Sequence, residues 1–170
     1  VLTHMKNKVF SISELTSLLD KEFEMEKNPE NLVEFAITDQ TREYINPEFL
    51  NQTTGLMLKG SEEIKKVYSV VFVTDHILEK LKKEKDCLIF THHHFNYYED
   101  ERGLLALNKN QIEKILDSGK SLYVAHAPLD THPEYGTSKS LAKLCNLVPG
   151  KLFFDYFGAP TALIGQIEPT

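Results

Sequence analysis

The residues with the clearest chemical potential in this chain are histidines, and they are not scattered. His92, His93 and His94 follow the apolar run "CLIF" (87–90), and His126 follows "SLYVA" (121–125), with Asp130 four residues on across "HAPLD". Imidazole plus carboxylate is a ligand set suited to zinc, manganese, iron or nickel. Adjacent residues in an extended segment project to opposite sides, so His92 and His93 are expected to serve different ions. A two-metal site, with centres about 3.5–4 Å apart and an oxygen between them, meets that condition. Pro128 can start one helical turn that carries Asp130 back toward His126, as a bridging or terminal carboxylate. A histidine pair alone could equally be solvated decoration; His126 and Asp130 at a second strand end favour metal. Coordination needs neutral imidazoles, so metal affinity is expected to fall as pH drops through roughly 6–7.

The other polar candidates read more plainly. His94 continues the run outside the ligand set, where it is available to move protons. His4, His76 and His132 have no partner pattern and read as surface histidines. Asp75 reads as a charge at a helix N-terminus. Cys87 and Cys145 sit in apolar surroundings and read as core or semi-buried thiols. "GLMLKG" (55–60) lacks the spacing of a phosphate-cradling loop. Phe95, Tyr97 and Tyr98 are expected to line a loop, with base stacking as the alternative.

The elements that must position these residues are legible from residue 67 onward. "VYSVVFV" (67–73), "CLIF" and "SLYVA" read as strands, and "KLFFDYF" and "TALIGQI" as two more. Helices alternate with them. Thr74 can cap one through Ile77, Leu78 and Leu81; Asn108 or Asn110 opens another through Ile112, Ile115 and Leu116; Thr137 can cap a third, stopped by "VPG". Upstream, Ser11 and Glu14 form a capping box for a helix with Ile12, Leu15, Leu18, Leu19 and Phe23 on one face. A short strand is expected around residues 34–38. This alternation predicts a three-layer α/β sandwich with a mostly parallel sheet, with strands 67–73, 87–91 and 121–125 adjacent and parallel. Their unbroken hydrophobicity agrees, because parallel strands are covered on both faces. Ligand sites in such sheets lie outside the carboxyl ends of the strands, where the histidines fall.

Composition bounds the function classes. The 170 residues are 41% hydrophobic and 26% charged, which fits a single folded domain over 1–170. A net charge of −6, with Arg42 and Arg102 as the only arginines, argues against a nucleic-acid binder. No apolar run approaches the ~18 residues of a membrane span, so no membrane partner is expected. Two cysteines in this length argue against a disulfide framework and for a reducing, cytoplasmic compartment.

The ordered set "GLMLKG" (55–60), "CLIFTHHHF" (87–95), "SLYVAHAPLD" (121–130), "YGTSKSLAKLCNL" (135–147) and "ALIGQIEP" (162–169) resembles the Nif-three-like family. Its members are also known as type 2 homologues of GTP cyclohydrolase I with a dinuclear metal centre. The resemblance covers about residues 45–170. It implies a two-lobed α/β fold with metals between similar halves, often in a hexameric toroid, this chain being the first half. It makes His92, His93, His126 and Asp130 metal ligands for two divalent ions. It implies a metal-dependent hydrolase in which a metal-bridging hydroxide attacks a small molecule, GTP or another nucleotide, with Asp130 or His94 moving protons. The alternative is a metal-containing binding or regulatory protein without turnover. Three departures stand out. His94 replaces the family's usual proline, "QTT" (52–54) replaces a tryptophan-aspartate-asparagine approach, and the family's histidine and glutamate from an H-x-x-x-E element of the second half are not in this chain.

Overall fold

The computed structural model describes residues 9–27, 30, 32, 37–101, 103–156 and 159–167. The strand expected around residues 34–38 falls largely outside them, as does His4. The first helix, α1 (Ile12–Glu22), starts as its sequence dictates: Ser11 accepts from the Glu14 N–H, and the Glu14 side chain reaches back to the Ser11 N–H. Ser11 and Phe10 form β1, which pairs antiparallel with β3 (Glu63–Ile64).

A four-stranded sheet carries the fold, in the order β2 (Gly55–Leu58), β8 (Ser121–Val124), β5 (Cys87–Thr91), β4 (Lys66–Val70). The β4–β5 and β5–β8 pairs are parallel, as the alternating pattern predicts, and β2 adds an antiparallel edge. Thus "GLMLKG" contains an edge strand. Between the parallel strands run α2 (Asp75–Lys80), capped by Thr74, and α3 (Lys109–Leu116), capped reciprocally by Asn108 and Gln111. Asp75 pairs at 3.8 Å with Lys114 of α3.

Alternate residues of each strand feed two cores. Ile89, Leu122 and Val124 pack with Leu78, Ile112 and Ile115 of α2 and α3. Leu88 and Tyr123 face the other way and pack with Ile12 of α1, Phe23 and Met25. Those are the three expected layers. The Tyr123 hydroxyl, deep in the second core, donates to Asp20 of α1 at 2.7 Å.

Several local expectations are corrected. β4 stops at Val70 rather than 73, because the Val71 carbonyl turns to accept the His93 N–H (2.9 Å) and the Thr91 hydroxyl (3.1 Å). Phe95, Tyr97 and Tyr98 lie on β6 (Phe95–Asp100), which pairs with β7 (Gly103–Ala106); both tyrosines are exposed. The helix α5 (Thr137–Leu144) is preceded by Gly136 rather than capped by Thr137. "VPG" lies within β9 (Leu147–Tyr156), which forms an antiparallel ribbon with β10 (Ala159–Ile167). Cys145 is exposed whereas Cys87 is buried, and both are free. His132 is buried: its Nδ1 accepts the Glu134 and Tyr135 N–H groups, and its ring stacks on Tyr135. His76 is exposed, as expected.

Candidate metal centre

β5 and β8 end side by side, and their next residues turn into one cleft. Thr91, the last residue of β5, is fully buried, and its hydroxyl is shared between the Val71 and His93 carbonyls (3.1 and 2.9 Å). That contact bends the chain at the strand end, so the alternation that would separate His92 from His93 no longer holds. The rings of His92 and His93 lie 4.3 Å apart, and each lies 4.8 Å from the ring of His126. One ring nitrogen from each of the three lies within 4.8 Å of the others.

The hydrogen bonds decide which nitrogens are free. His92 Nδ1 faces the Ala125 carbonyl at 3.1 Å, and His126 Nδ1 faces Glu30 Oε1 at 2.7 Å. In their neutral forms both rings therefore carry hydrogen on Nδ1 and keep the lone pair on Nε2. Tetrahedral ligands about 2.0 Å from a zinc ion stand roughly 3.3 Å apart, so three nitrogens within 4.8 Å need only small rotations to converge. The donor set fits a divalent transition metal.

Asp130 sits on α4 (Ala127–Thr131), the single turn expected after Pro128. Its Oδ2 lies 3.7 Å from His92 Nε2, and its Oδ1 accepts the Thr137 hydroxyl at 2.8 Å. Gly136 makes that bond possible. A Cβ there would stand 2.6 Å from the His132 carbonyl oxygen and 2.7 Å from that of Asp130. Gly136→Ala is expected to destabilise the fold by about 1–3 kcal/mol in urea denaturation and to weaken metal binding by moving Asp130.

His94 lies elsewhere. It has no exposed surface, its ring stands perpendicular to His126 at 6.1 Å, and it packs beside Phe49 and Phe95. Neither of its nitrogens has a partner among the described residues. The structure seats it beneath the cleft rather than on the cleft wall where a proton-moving group is expected. His93 instead lies flat against Phe72, with centroids 4.2 Å apart and planes 18° apart.

Burial lowers the proton affinity of these rings. It pulls His93 down to about 4, helped by His92 and His126, and His94 down to about 3. His92 is also lowered, burial outweighing the Ala125 carbonyl and Asp130. Proton competition at these positions thus sets in below the pH 6–7 expected from ordinary imidazole.

The residue missed in the sequence is Glu30. Its side chain is completely buried, and it receives the His126 Nδ1, the Ala127 N–H (3.2 Å) and the Tyr156 hydroxyl (3.2 Å). Burial would raise its carboxyl, but the His126 and Ala127 contacts hold it below the usual range. Burial and Glu30 push the Tyr156 phenol up to about 12. No local pattern around Glu30 signals this, because its partner lies 96 residues away.

Comparison with known proteins places the chain in a family. The profile of the DUF34/NIF3 family (NGG1p interacting factor 3) matches residues 37–167, a span that holds all three clustered histidines and Asp130. A Pyrococcus abyssi protein named "GTP cyclohydrolase 1 type 2 homolog" is 34% identical over 120 residues, 68% of this chain and 46% of that protein. The chain spans about half the length of the curated relatives it matches. Two solved structures share the fold: a Thermus thermophilus protein (TM-score 0.55, 23% identity, 88% of this chain and 53% of that one) and a Bacillus cereus protein related to NIF3 (TM-score 0.51, 18% identity, 85% and 37%). With its parallel strands ending in a histidine cleft inside the matched span, the chain belongs to the DUF34/NIF3 family.

Proposed function

We propose that this chain contributes the divalent-metal centre of a hydrolase acting on a small molecule, GTP or another nucleotide. The observation that carries the metal assignment is the convergence of His92, His93 and His126, with two of their Nδ1 atoms already engaged. Asp130, beside His92, completes the ligand set. When bound, a divalent ion supplies Lewis acidity and water activation. The chain's own contribution is to orient the rings, to keep His92 and His93 neutral, and to hold Asp130 through Thr137. The substrate class rests on the name of the relatives, "GTP cyclohydrolase 1 type 2 homolog".

A second ion needs donors beyond these four. We therefore read the chain as one half of a two-lobed protein, which its share of the relatives' length supports, and that protein as a homo-oligomer. No helix among the described residues is long and apolar enough to cross a membrane.

The test is formate release from GTP by metal-loaded protein, assayed for a polypeptide as long as the relatives and compared with its His93→Ala variant. Release above the variant is the expected result. Metal bound in stoichiometric amount, with no release from GTP and no hydrolysis of a panel of other nucleotides for any of zinc, manganese, iron or nickel, would overturn the hydrolase and leave the non-catalytic, metal-containing binding protein.

A further inference from the structure

We propose that Glu30 is a positioning residue for this centre: its buried carboxylate holds His126 with Nδ1 as donor and Nε2 turned to the ion. The proposal rests on the metal reading above and deepens it. Glu30 precedes the matched residues 37–167, so family membership assigns it nothing.

The carboxylate is built in from both ends. Its Oε1 takes His126 Nδ1 at 2.7 Å and the Tyr156 hydroxyl at 3.2 Å, and its Oε2 takes the Ala127 N–H at 3.2 Å. Behind it, the Glu30 carbonyl accepts the Thr53 N–H at 2.7 Å and the Thr53 hydroxyl at 3.2 Å, while Thr53 Oγ1 accepts the Leu32 N–H at 3.0 Å. Both carboxylate oxygens of Glu30 are engaged and the side chain is fully buried. It acts through His126.

The chemistry of the acceptor matters. Three donors converge on a group that only accepts, and a bond from an imidazole to a carboxylate is stronger than one to a neutral oxygen. His92 has the neutral version, a backbone carbonyl, and His93 has an aromatic face instead. His126 is thus the ring of the three whose Nδ1 hydrogen is held by a charged acceptor. Glutamine at position 30 would keep one acceptor oxygen, and its amide hydrogens would face the Ala127 N–H in one orientation and His126 Nδ1 in the other. The ring of His126 would then lose its fixed tautomer.

Ring 15N NMR of the metal-free protein, at a pH where the imidazoles are neutral, reads the tautomer without any metal. The wild type is expected to show His126 protonated at Nδ1, and Glu30→Gln a mixture of tautomers. In chelator competition with zinc, Glu30→Gln is expected to bind about 10- to 100-fold more weakly. Glu30→Asp, which keeps the charge but draws it back by one methylene, is expected to weaken binding as well, and it serves if the glutamine variant does not fold. Tyr156→Phe, which leaves the His126 bond intact, is expected to change affinity far less than either. Unchanged tautomer and affinity in both Glu30 variants, beside a wild type that binds zinc, would overturn the role of Glu30 and leave the metal reading standing. A wild type that binds no zinc, manganese, iron or nickel would overturn the metal reading itself.

Discussion

His93→Ala should strip the protein of tightly held metal while leaving it folded. Among the described residues His93 makes ring contacts with Phe72, His92 and His126 but no side-chain hydrogen bond, so its removal orphans no buried group. What remains is two imidazoles and a carboxylate 3.7 Å from one of them. The loss of affinity should exceed the roughly 10- to 100-fold that follows removal of an outer-shell partner. Asp130→Ala should also release metal, at the added cost of the Thr137 bond. His126→Ala should behave differently: it takes the strongest donor from a buried carboxylate, so stability should fall with metal binding, by about 1–3 kcal/mol. Elemental analysis after dialysis reads the first effect and urea denaturation the second. Three clustered imidazoles and one carboxylate suffice for one ion but not for two, since a catalytic ion typically keeps three protein ligands. The wild-type 170-residue chain is therefore expected to retain about one equivalent. Unchanged metal content in both His93→Ala and Asp130→Ala would make the cluster decorative.

The parts of this site written in neighbouring residues are legible in the sequence alone. The capping box at Ser11 needs only residues three apart and is present in the fold, and of the two openings read for the helix after residue 107, Asn108 is the one that caps it. The strands ending at Thr91 and Val124 stand out as apolar runs, and their parallel pairing follows from the helices between them. That pairing places His92, His93 and His126 in one cleft. The features hidden from the sequence depend on contacts across the chain. Glu30 stands in an acidic stretch with no pattern of its own, yet this glutamate is buried where an imidazole and two other donors meet it. His132 reads as unpartnered because its partners are backbone N–H groups, which almost every residue carries. The convergence of His92 with His93 depends on the hydroxyl of Thr91, a residue that otherwise reads as ordinary strand.

Beyond the share that His92 and His93 add, acid sensitivity should extend to the lowest pH at His94. In the unfolded chain its imidazole titrates near 6.5, whereas in the folded protein burial holds it down to about 3. Between those values the unfolded state binds the extra proton, so stability falls as pH drops below about 6.5 and levels off near 3. Above that window the ring is neutral in both states and contributes no slope. For one group the full excursion is on the order of 4 kcal/mol, a large part of a small domain's stability. His94→Leu removes the titration and replaces two buried nitrogens that have no partner among the described residues with an apolar side chain of similar size, beside Phe49 and Phe95. At pH 7 the variant is expected to match the wild type or exceed it by about 1–2 kcal/mol, since a buried polar atom without a partner is costly and its apolar replacement is not. At pH 4 the gap should widen by a further few kcal/mol, on the order of the lost linkage. Urea denaturation of chelator-treated protein at the two pH values measures both gaps without interference from metal at His92 and His93. Stability curves that run parallel from pH 7 to pH 4 would show that His94 finds a partner in solution and stays indifferent to acid.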